Sequence, residues 1–411
     1  MSADVDRVGA SLAAREAAAL LPTYARQPVE FVAGEGPWLY DAEGRRYLDF
    51  LSGLAVTSLG HAHPAVADAV AAQSRRLVHV SNLFYTEPQV SLAERLQDTL
   101  GWPDGKAFLC NSGAEANEAA LKLARRWGKA HSPGAGDAKV RVVSLAGGFH
   151  GRTLGALLAT GNPDKHAPFQ PLGEWVTHVD HDDPAALDAA VDDDVCAVWL
   201  EVVQGEAGVR PLAPEVLKAA REACDRHGAL LVVDEVQTGL GRLGAWYGWQ
   251  TTDIEPDVVC LAKALANGLP AGAIVARGPA ADAFGPGDHA TTFGGGPVIA
   301  AAANAVIDTI TSEGLVARAA DLGAELTARG RALAEAHPLV AGIRGRGLLQ
   351  AVELERAVAA DVRAAALARG LVVNDVRPDA LRLAPPLVID AGAVDEALGI
   401  LTESLDAAAS G

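Results

Sequence analysis

Cationic charge is scarce in this chain: 34 Lys and Arg stand against 52 Asp and Glu, a formal net charge of −18 over 411 residues. Such a balance repels polyanions and anionic bilayers, so neither nucleic acid nor a membrane is an expected partner, and any anionic ligand must be met by a local arginine. Cysteine is also rare. The four present, Cys110, Cys196, Cys224 and Cys260, lack the paired spacing of a zinc or thioredoxin-like site and read as small core residues. His61-Ala62-His63 has a spacing seen in metal sites, but no Cys, Asp or Glu completes a ligand set before Asp68; a turn ahead of Pro64 is expected, and no metal. No window approaches the roughly eighteen unbroken apolar residues of a membrane span. Met1–Asp6 carries acid rather than base, unlike a secretory leader, so the expectation is a soluble, cytoplasmic protein.

What the chain does contain is alternation. From about Pro64 onward, apolar β-rich runs alternate with helical patterns, the order produced when helices cover a mostly parallel sheet. Strands are predicted at Ala107–Cys110, Val142–Leu145, Ala197–Val203, Leu230–Val233 and Val258–Leu261, and helices at Glu115–Trp127 and Pro214–His227. The helix-rich stretch Ala301–Ala336 is interrupted near Glu313-Gly314. Before the main alternation, residues 34–50 alternate apolar and polar side chains around Asp41-Ala42-Glu43-Gly44, which predicts a hairpin outside the main sheet. Pro133-Gly134-Ala135-Gly136 reads as a surface loop. The expected class is α/β, with a large sheet domain over residues 64–305 and a smaller α/β domain built from both chain ends, 1–63 and 306–411.

Chemistry concentrates where apolar runs stop. Leu230–Val233 ends on Asp234-Glu235, and a carboxylate at a buried strand end is costly unless a cation pairs with it. A second run, Val258–Leu261, ends just before Lys263. Each residue alone has an ordinary reading, a turn-capping Asp and a solvated Lys. Together, at the carboxyl ends of strands where open α/β sheets bind ligands, they match the needs of pyridoxal phosphate: an acid to keep the pyridine nitrogen protonated and an amine to hold the cofactor covalently. Residues 111–118, NSGAEANE, follow an apolar run and open a helix, offering free N–H groups and a helix dipole to a phosphate, or alternatively a plain capping box of Ser112 with Glu115. Phe149 and Arg152 sit just past the Val142–Leu145 strand. An aromatic there can lie on a cofactor ring, and an arginine can hold a carboxylate in a two-pronged bond. Residues 239–244, GLGRLG, spell a dinucleotide fingerprint, but they begin several residues past the strand and no helix of the needed period follows, so a nicotinamide-linked dehydrogenase is the weaker reading.

The segments NSGAEANE (111–118), FHGRT (149–153), EVVQGEAGV (201–209), DEVQTGLGRLG (234–244), LAKALANGLP (261–270) and TTFGGGP (291–297) resemble, in order and spacing, the class III, fold-type I pyridoxal-phosphate aminotransferases. The resemblance implies a large, mostly parallel seven-stranded sheet domain with a smaller α/β domain. It implies catalytic roles for Lys263 and Asp234 and cofactor contacts from Ser112, Gly113, Ala114, Phe149, Glu235, Val236 and Gln237, with Thr292 reaching the phosphate of a neighbouring subunit in a homodimer. It further implies that Arg152, Thr291 and Arg382 contact substrate, with Glu206 pairing to Arg382 for one substrate and releasing it for 2-oxoglutarate. Stretches 21–36, 52–64 and 381–388 resemble the branch acting on N-acetylornithine, whose δ-amino group would pass to 2-oxoglutarate. Three positions depart from the usual pattern: Thr291 for serine, Val202 for proline and Gly296 for asparagine. Leu54 stands where ornithine-specific relatives carry tyrosine.

Overall fold

The apolar runs become neighbours in one seven-stranded sheet, ordered Lys106–Cys110, Gly272–Ala276, Val258–Leu261, Leu230–Asp234, Val195–Leu200, Arg141–Leu145 and Val176–Val179. The computed structural model describes residues 11–132 and 139–410, so Met1–Asp6 and the Pro133–Gly136 loop lie outside the described residues. Gly272–Ala276 alone runs against its neighbours, whereas the pairings from Val258–Leu261 across to Val176–Val179 are parallel. Six carboxyl ends therefore open on the same edge.

The central strands are buried on both faces, which is why they read as continuous apolar runs. Side chains alternate between the faces. Val198, Leu200, Leu231 and Val233 pack with the Pro214–His227 helix through Val216, Leu217, Ala220 and Ala223. Ala197, Trp199, Leu230 and Val232 pack instead against Ala116, Ala120, Leu123 and Ala124 of the Gly113–Ala130 helix. Each fully buried Val or Leu contributes about 1.5–3 kcal/mol of transfer free energy, so this three-layer sandwich is where stability concentrates.

Two sheet strands carry weak sequence signals. Val176–Val179 is a half-exposed edge interrupted by His178, and Gly272–Ala276 is rich in Gly and Ala, which strands disfavour. The predicted Ala197–Val203 strand stops at Leu200; Val203–Gln204 pairs separately with Arg210–Pro211. The break falls at Glu201, whose carboxylate turns back to accept from the Phe149 N–H at 3.0 Å. The 301–336 stretch forms two helices, Pro297–Ser312 and Leu315–Ala336, bent by 64°. Gly314 between them has φ +62°, a left-handed conformation suited to glycine. Among the described residues no single helix is long and apolar enough to cross a membrane.

The 34–50 hairpin forms with strands Trp38–Asp41 and Arg46–Asp49. Asp41 Oδ1 accepts from the N–H groups of Glu43 (3.0 Å) and Arg45 (2.8 Å), and Tyr47 donates to Oδ2 at 2.9 Å, so the turn residue also locks the strand. Phe31–Glu35 pairs on one side and Leu371–Val372 on the other, bringing the two ends of the chain into one sheet. A further antiparallel sheet, ordered Val340–Arg346, Leu349–Leu354, Ala380–Leu383 and Asn374–Arg377, carries Arg382.

The 239–244 glycine run is a turn with no helix after it until the short 3-10 segment Gly248–Thr251. Arg242 within it is buried and donates to the Leu348 and Pro385 carbonyls and to Ser58 Oγ, tying the turn to both chain ends. Burial pushes its guanidinium down to about 10. Arg242→Met is expected to destabilise the protein by about 2–4 kcal/mol, because two buried carbonyls lose their donors, with the thermal transition lowered by several degrees in calorimetry.

Candidate active site

Asp234 closes the central strand and is 3% exposed. Its Oδ1 accepts from the Val236 N–H at 3.0 Å. Its Oδ2 accepts from Asn117 Nδ2 at 2.9 Å and faces His150 Nδ1 at 2.8 Å. Three polar partners thus compensate the burial of the carboxylate, and none of them is the lysine. Asn117 is itself held, its Oδ1 accepting from Trp199 Nε1 at 3.0 Å and its Nδ2 also donating to the Gly113 carbonyl.

On the adjacent strand, Asp234 pairs in register with Cys260, and Lys263 follows that strand in a 3-10 turn with φ +45°. A left-handed conformation costs a non-glycine residue about 1–2 kcal/mol, strain of the kind that accumulates at functional positions. Burial pushes the Lys263 ammonium down to about 8, against the opposing pull of Glu206, Glu201 and Asp234. At pH 7 about a tenth of this amine is therefore unprotonated, far more than of an ordinary lysine, and the free form is the one a nucleophile or proton acceptor requires.

Both residues line a cavity of about 420 Å³. One end is the start of the Gly113–Ala130 helix. Ser112 caps it, its Oγ accepting from the Glu115 N–H at 3.1 Å. The reciprocal bond of a capping box is displaced by one residue: Glu115 Oε2 accepts from Asn111 N (2.7 Å) and Nδ2 (2.8 Å). Of the two readings from the sequence the cap is seen, and it leaves the first helical N–H groups, Gly113 and Ala114, without intrahelical acceptors at the cavity wall, where an anion could meet them. A Cβ on Gly113 would lie 2.9 Å from Val236 Cγ1, so glycine keeps the helix start tight against the wall that Val236 forms.

Phe149, Arg152, Glu206 and Gln237 also line the cavity. Arg152 is exposed, its guanidinium carbon 5.8 Å from the Phe149 ring centre. Arg382, 1% exposed, stands directly behind Glu206 and Gln237, with Nη1 donating to Glu206 Oε1 at 2.5 Å and Gln237 Oε1 at 3.2 Å, and Nε to Asn374 Oδ1 at 3.1 Å. Burial alone would raise the Glu206 carboxyl, but Arg382 overrides it and holds the group below the ordinary range.

The geometry corrects one expected contact. Glu235 does not reach the cavity: its carboxylate accepts from Thr238 Oγ1 and from the N–H groups of Gly248 (2.9 Å) and Trp249 (2.8 Å), anchoring the segment after the glycine run. Thr291 stands one bond away, its Oγ1 accepting from Asn111 Nδ2 at 3.0 Å. Thr292 is exposed and lines a separate small recess. Leu54 is exposed, and Val56 lines the cavity from that segment instead. Sequence reasoning missed Asn117, His150 and Glu201, although all three lie inside the quoted motifs. Burial and the neighbouring Asp234 carboxylate push the Glu201 carboxyl well above the usual range, against the Phe149 N–H.

An anion cradle at a helix start, a buried hydrogen-bonded carboxylate and a lysine of lowered basicity around one cavity form the donor set that pyridoxal phosphate needs, and the residues fit that group. Independent comparisons agree. The family model for class-III aminotransferases matches residues 22–405. The chain is 50% identical to the acetylornithine aminotransferase of Streptomyces coelicolor, covering 95% of this chain and 94% of that one. It is 48% identical to the acetylornithine aminotransferase of Mycolicibacterium smegmatis, covering 97% and 99%. Among solved structures, the ornithine aminotransferase of Toxoplasma gondii superposes with a TM-score of 0.93 at 32% identity, covering 99% and 98%. The acetylornithine aminotransferase of Elizabethkingia anophelis superposes with 0.86 at 32%, covering 96% and 98%. The chain belongs to the class-III aminotransferases, enzymes of fold type I that use pyridoxal phosphate.

Proposed function

We propose that the chain transfers the δ-amino group of N-acetylornithine to 2-oxoglutarate, giving N-acetylglutamate 5-semialdehyde and glutamate, a cytoplasmic step of arginine biosynthesis. The observation that carries the reading is the pair at adjacent strand ends: Asp234, with its hydrogen bonds complete, and Lys263, with its basicity lowered. The names of the two half-identical relatives support the choice of donor.

When bound, pyridoxal phosphate supplies a ring that withdraws electrons from the substrate carbon losing its proton. The protein supplies the rest. Gly113 and Ala114 N–H groups would hold the phosphate, Phe149 and Val236 would border the ring, and Asp234 would keep the ring nitrogen protonated. Lys263 anchors the cofactor and then takes and returns the proton at the reacting carbon. Glu206 selects between the half-reactions. Paired with Arg382, it presents a neutral wall to a terminal amine; turned away, it frees a cation for the carboxylate beside the keto carbon of 2-oxoglutarate.

Thr292 belongs to the same reading as a contact to the phosphate of a second copy in a homodimer. Leu83, Phe84, Tyr85 and Phe293 are strongly exposed, and Asn82 ties the two segments by donating to the Thr291 and Gly294 carbonyls, so a contiguous apolar surface adjoins Thr292. The chain divides accordingly into a large domain over 64–305 and a small domain from 1–63 and 306–411. A second reading, an ω-aminotransferase taking ornithine, 4-aminobutyrate, succinylornithine or lysine, is favoured by the fold likeness to ornithine aminotransferase.

Comparing kcat/KM for N-acetylornithine, ornithine and 4-aminobutyrate is expected to place N-acetylornithine first by at least about tenfold, the worth of one charge-assisted contact; equal values would remove the donor assignment. In the cofactor-free protein, acylation of Lys263 followed by peptide mapping is expected to be half-maximal near pH 8, because the free amine accumulates above its lowered pKa. Glu206→Gln removes the charge that holds Arg382. The expected outcome is a KM for the amino donor raised about tenfold, with the KM for 2-oxoglutarate unchanged or lowered, since a partner that must be displaced is weakened.

A further inference from the structure

The turn that carries Lys263 has few means of holding its own shape. Lys263 (φ +45°) and Asn267 (φ +48°) both adopt the left-handed conformation that side chains disfavour. Between them runs the 3-10 turn Lys263–Ala266, closed by the Leu265 N–H on the Ala262 carbonyl at 2.9 Å and the Asn267 N–H on the Ala264 carbonyl at 3.1 Å. Ala264, Leu265 and Ala266 are packed in the core, which seats the inner side of the turn without directing its outer side. From 262 to 269 the only polar side chains are Lys263 and Asn267. Strained backbone persists where its surroundings over-determine it, so a directional contact has to come through Asn267.

Asn267 makes that contact twice. Its Oδ1 accepts from the Leu59 N–H at 2.8 Å and its Nδ2 donates to the Gly60 carbonyl at 3.0 Å, a two-pronged bond to a segment 208 positions away. That segment is a closed loop. At its neck His61 Nε2 meets Asp49 Oδ2 at 2.8 Å, and Asp49, 1% exposed, also accepts through Oδ1 from the N–H groups of Leu51 (3.0 Å) and Ser52 (2.8 Å). Inside the loop four successive residues, Ser52, Gly53, Leu54 and Ala55, have φ between +49° and +73°, a left-handed turn that non-glycine residues adopt only under constraint. The chain then returns to the site at Val56, which lines the active cavity together with Gly268 and Leu269. His61, expected from the sequence to sit in an ordinary turn, thus closes the loop against which the Lys263 turn is braced.

We propose that Asn267 is a positioning residue for Lys263: its side chain fastens the lysine turn to the 49–61 loop, and the Asp49/His61 pair holds that loop closed as the anchor. The inference rests on the role proposed for Lys263 as the amine that moves the proton. Proton transfer loses rate when the two atoms are misplaced by about 1 Å, so Asn267, which does not itself line the cavity, sets kcat through the lysine. The side chain has a use beyond tolerating a positive φ. Glycine meets that backbone requirement and lacks the clamp, which makes the two roles separable.

The test uses Asn267→Gly, Asn267→Ala, His61→Ala and the double variant Asn267→Gly/His61→Ala. In the holoenzyme it reads kcat and KM; in the cofactor-free protein it reads the pH midpoint of Lys263 acylation by peptide mapping. Asn267→Gly is expected to lower kcat about tenfold with both KM values within about twofold, because the lysine is displaced and the substrate contacts are not. The acylation midpoint, at about 8 in the wild type, rises by about half a unit as the freed turn admits water. Asn267→Ala loses kcat to the same extent and also lowers the thermal transition, since alanine keeps the strain that glycine removes. His61→Ala lowers kcat about fivefold in the same pattern, and the double variant stays within about twofold of Asn267→Gly, the non-additivity of two cuts in one connection. Wild-type kcat and midpoint in Asn267→Gly, losses confined to KM, or losses that multiply in the double variant overturn the proposal. Should Asn267→Gly fail to fold, His61→Ala decides on the same two readings. Should Lys263→Ala keep full turnover, the catalytic reading fails by itself. The acylation midpoint then decides the clamp: a rise in Asn267→Gly sustains it, and an unchanged midpoint overturns it.

Discussion

A buried carboxylate at the end of the central strand constrains everything around it. Asp234 is compensated from three directions: its own turn through Val236, the long helix through Asn117, and the loop after Arg141–Leu145, two strands away in the sheet, through His150. Each partner has a second task. Asn117 fixes the first turn of the helix whose N–H groups face the cavity, and it is fixed in turn by Trp199. His150 follows Phe149, so the bond that positions the imidazole also positions the aromatic wall. One buried carboxylate thus sets the mutual placement of the helix start, the Phe149 wall and the strand end around the cavity.

The second electrostatic feature is a gradient across the cavity. On the strand side, burial makes charge expensive: the Lys263 ammonium is pushed down and the Glu201 carboxyl up. Toward the opening, charge is kept, with Glu206 held ionised by Arg382 and cations arrayed beyond it. Proton transfer at the reacting carbon requires the first environment and recognition of acidic substrates the second. Glu206 stands at the boundary, paired with Arg382.

The burial of the fold explains which elements were legible. Leu230–Asp234 and Val258–Leu261 are covered on both faces and therefore unbroken in sequence, while the edge strand Val176–Val179 has one solvated side and carries His178. The Pro214–His227 helix begins at a proline and ends before Gly228 in a left-handed conformation, so both boundaries are written in residue type. The Ala197–Val203 run was read too long because Glu201, a residue with apolar neighbours on both sides, leaves the ladder to bind the Phe149 N–H, a reason invisible along the chain. The resemblance implied a cofactor contact for Glu235, yet successive side chains at a strand end point to opposite faces, and its face meets Gly248 and Trp249.

By itself the chain determined its α/β class, the strand and helix periods, the helix cap at Ser112 and the presence of an acid and a lysine just past two apolar runs, because these signals pass between near neighbours. Only the folded structure decided which of those groups meet. Asp234 finds Asn117 across 117 positions, and Arg382 finds Glu206 across 176. Partners so distant are chosen by sheet order and by the register between strands, which place six carboxyl ends on one edge, and no local pattern records that choice.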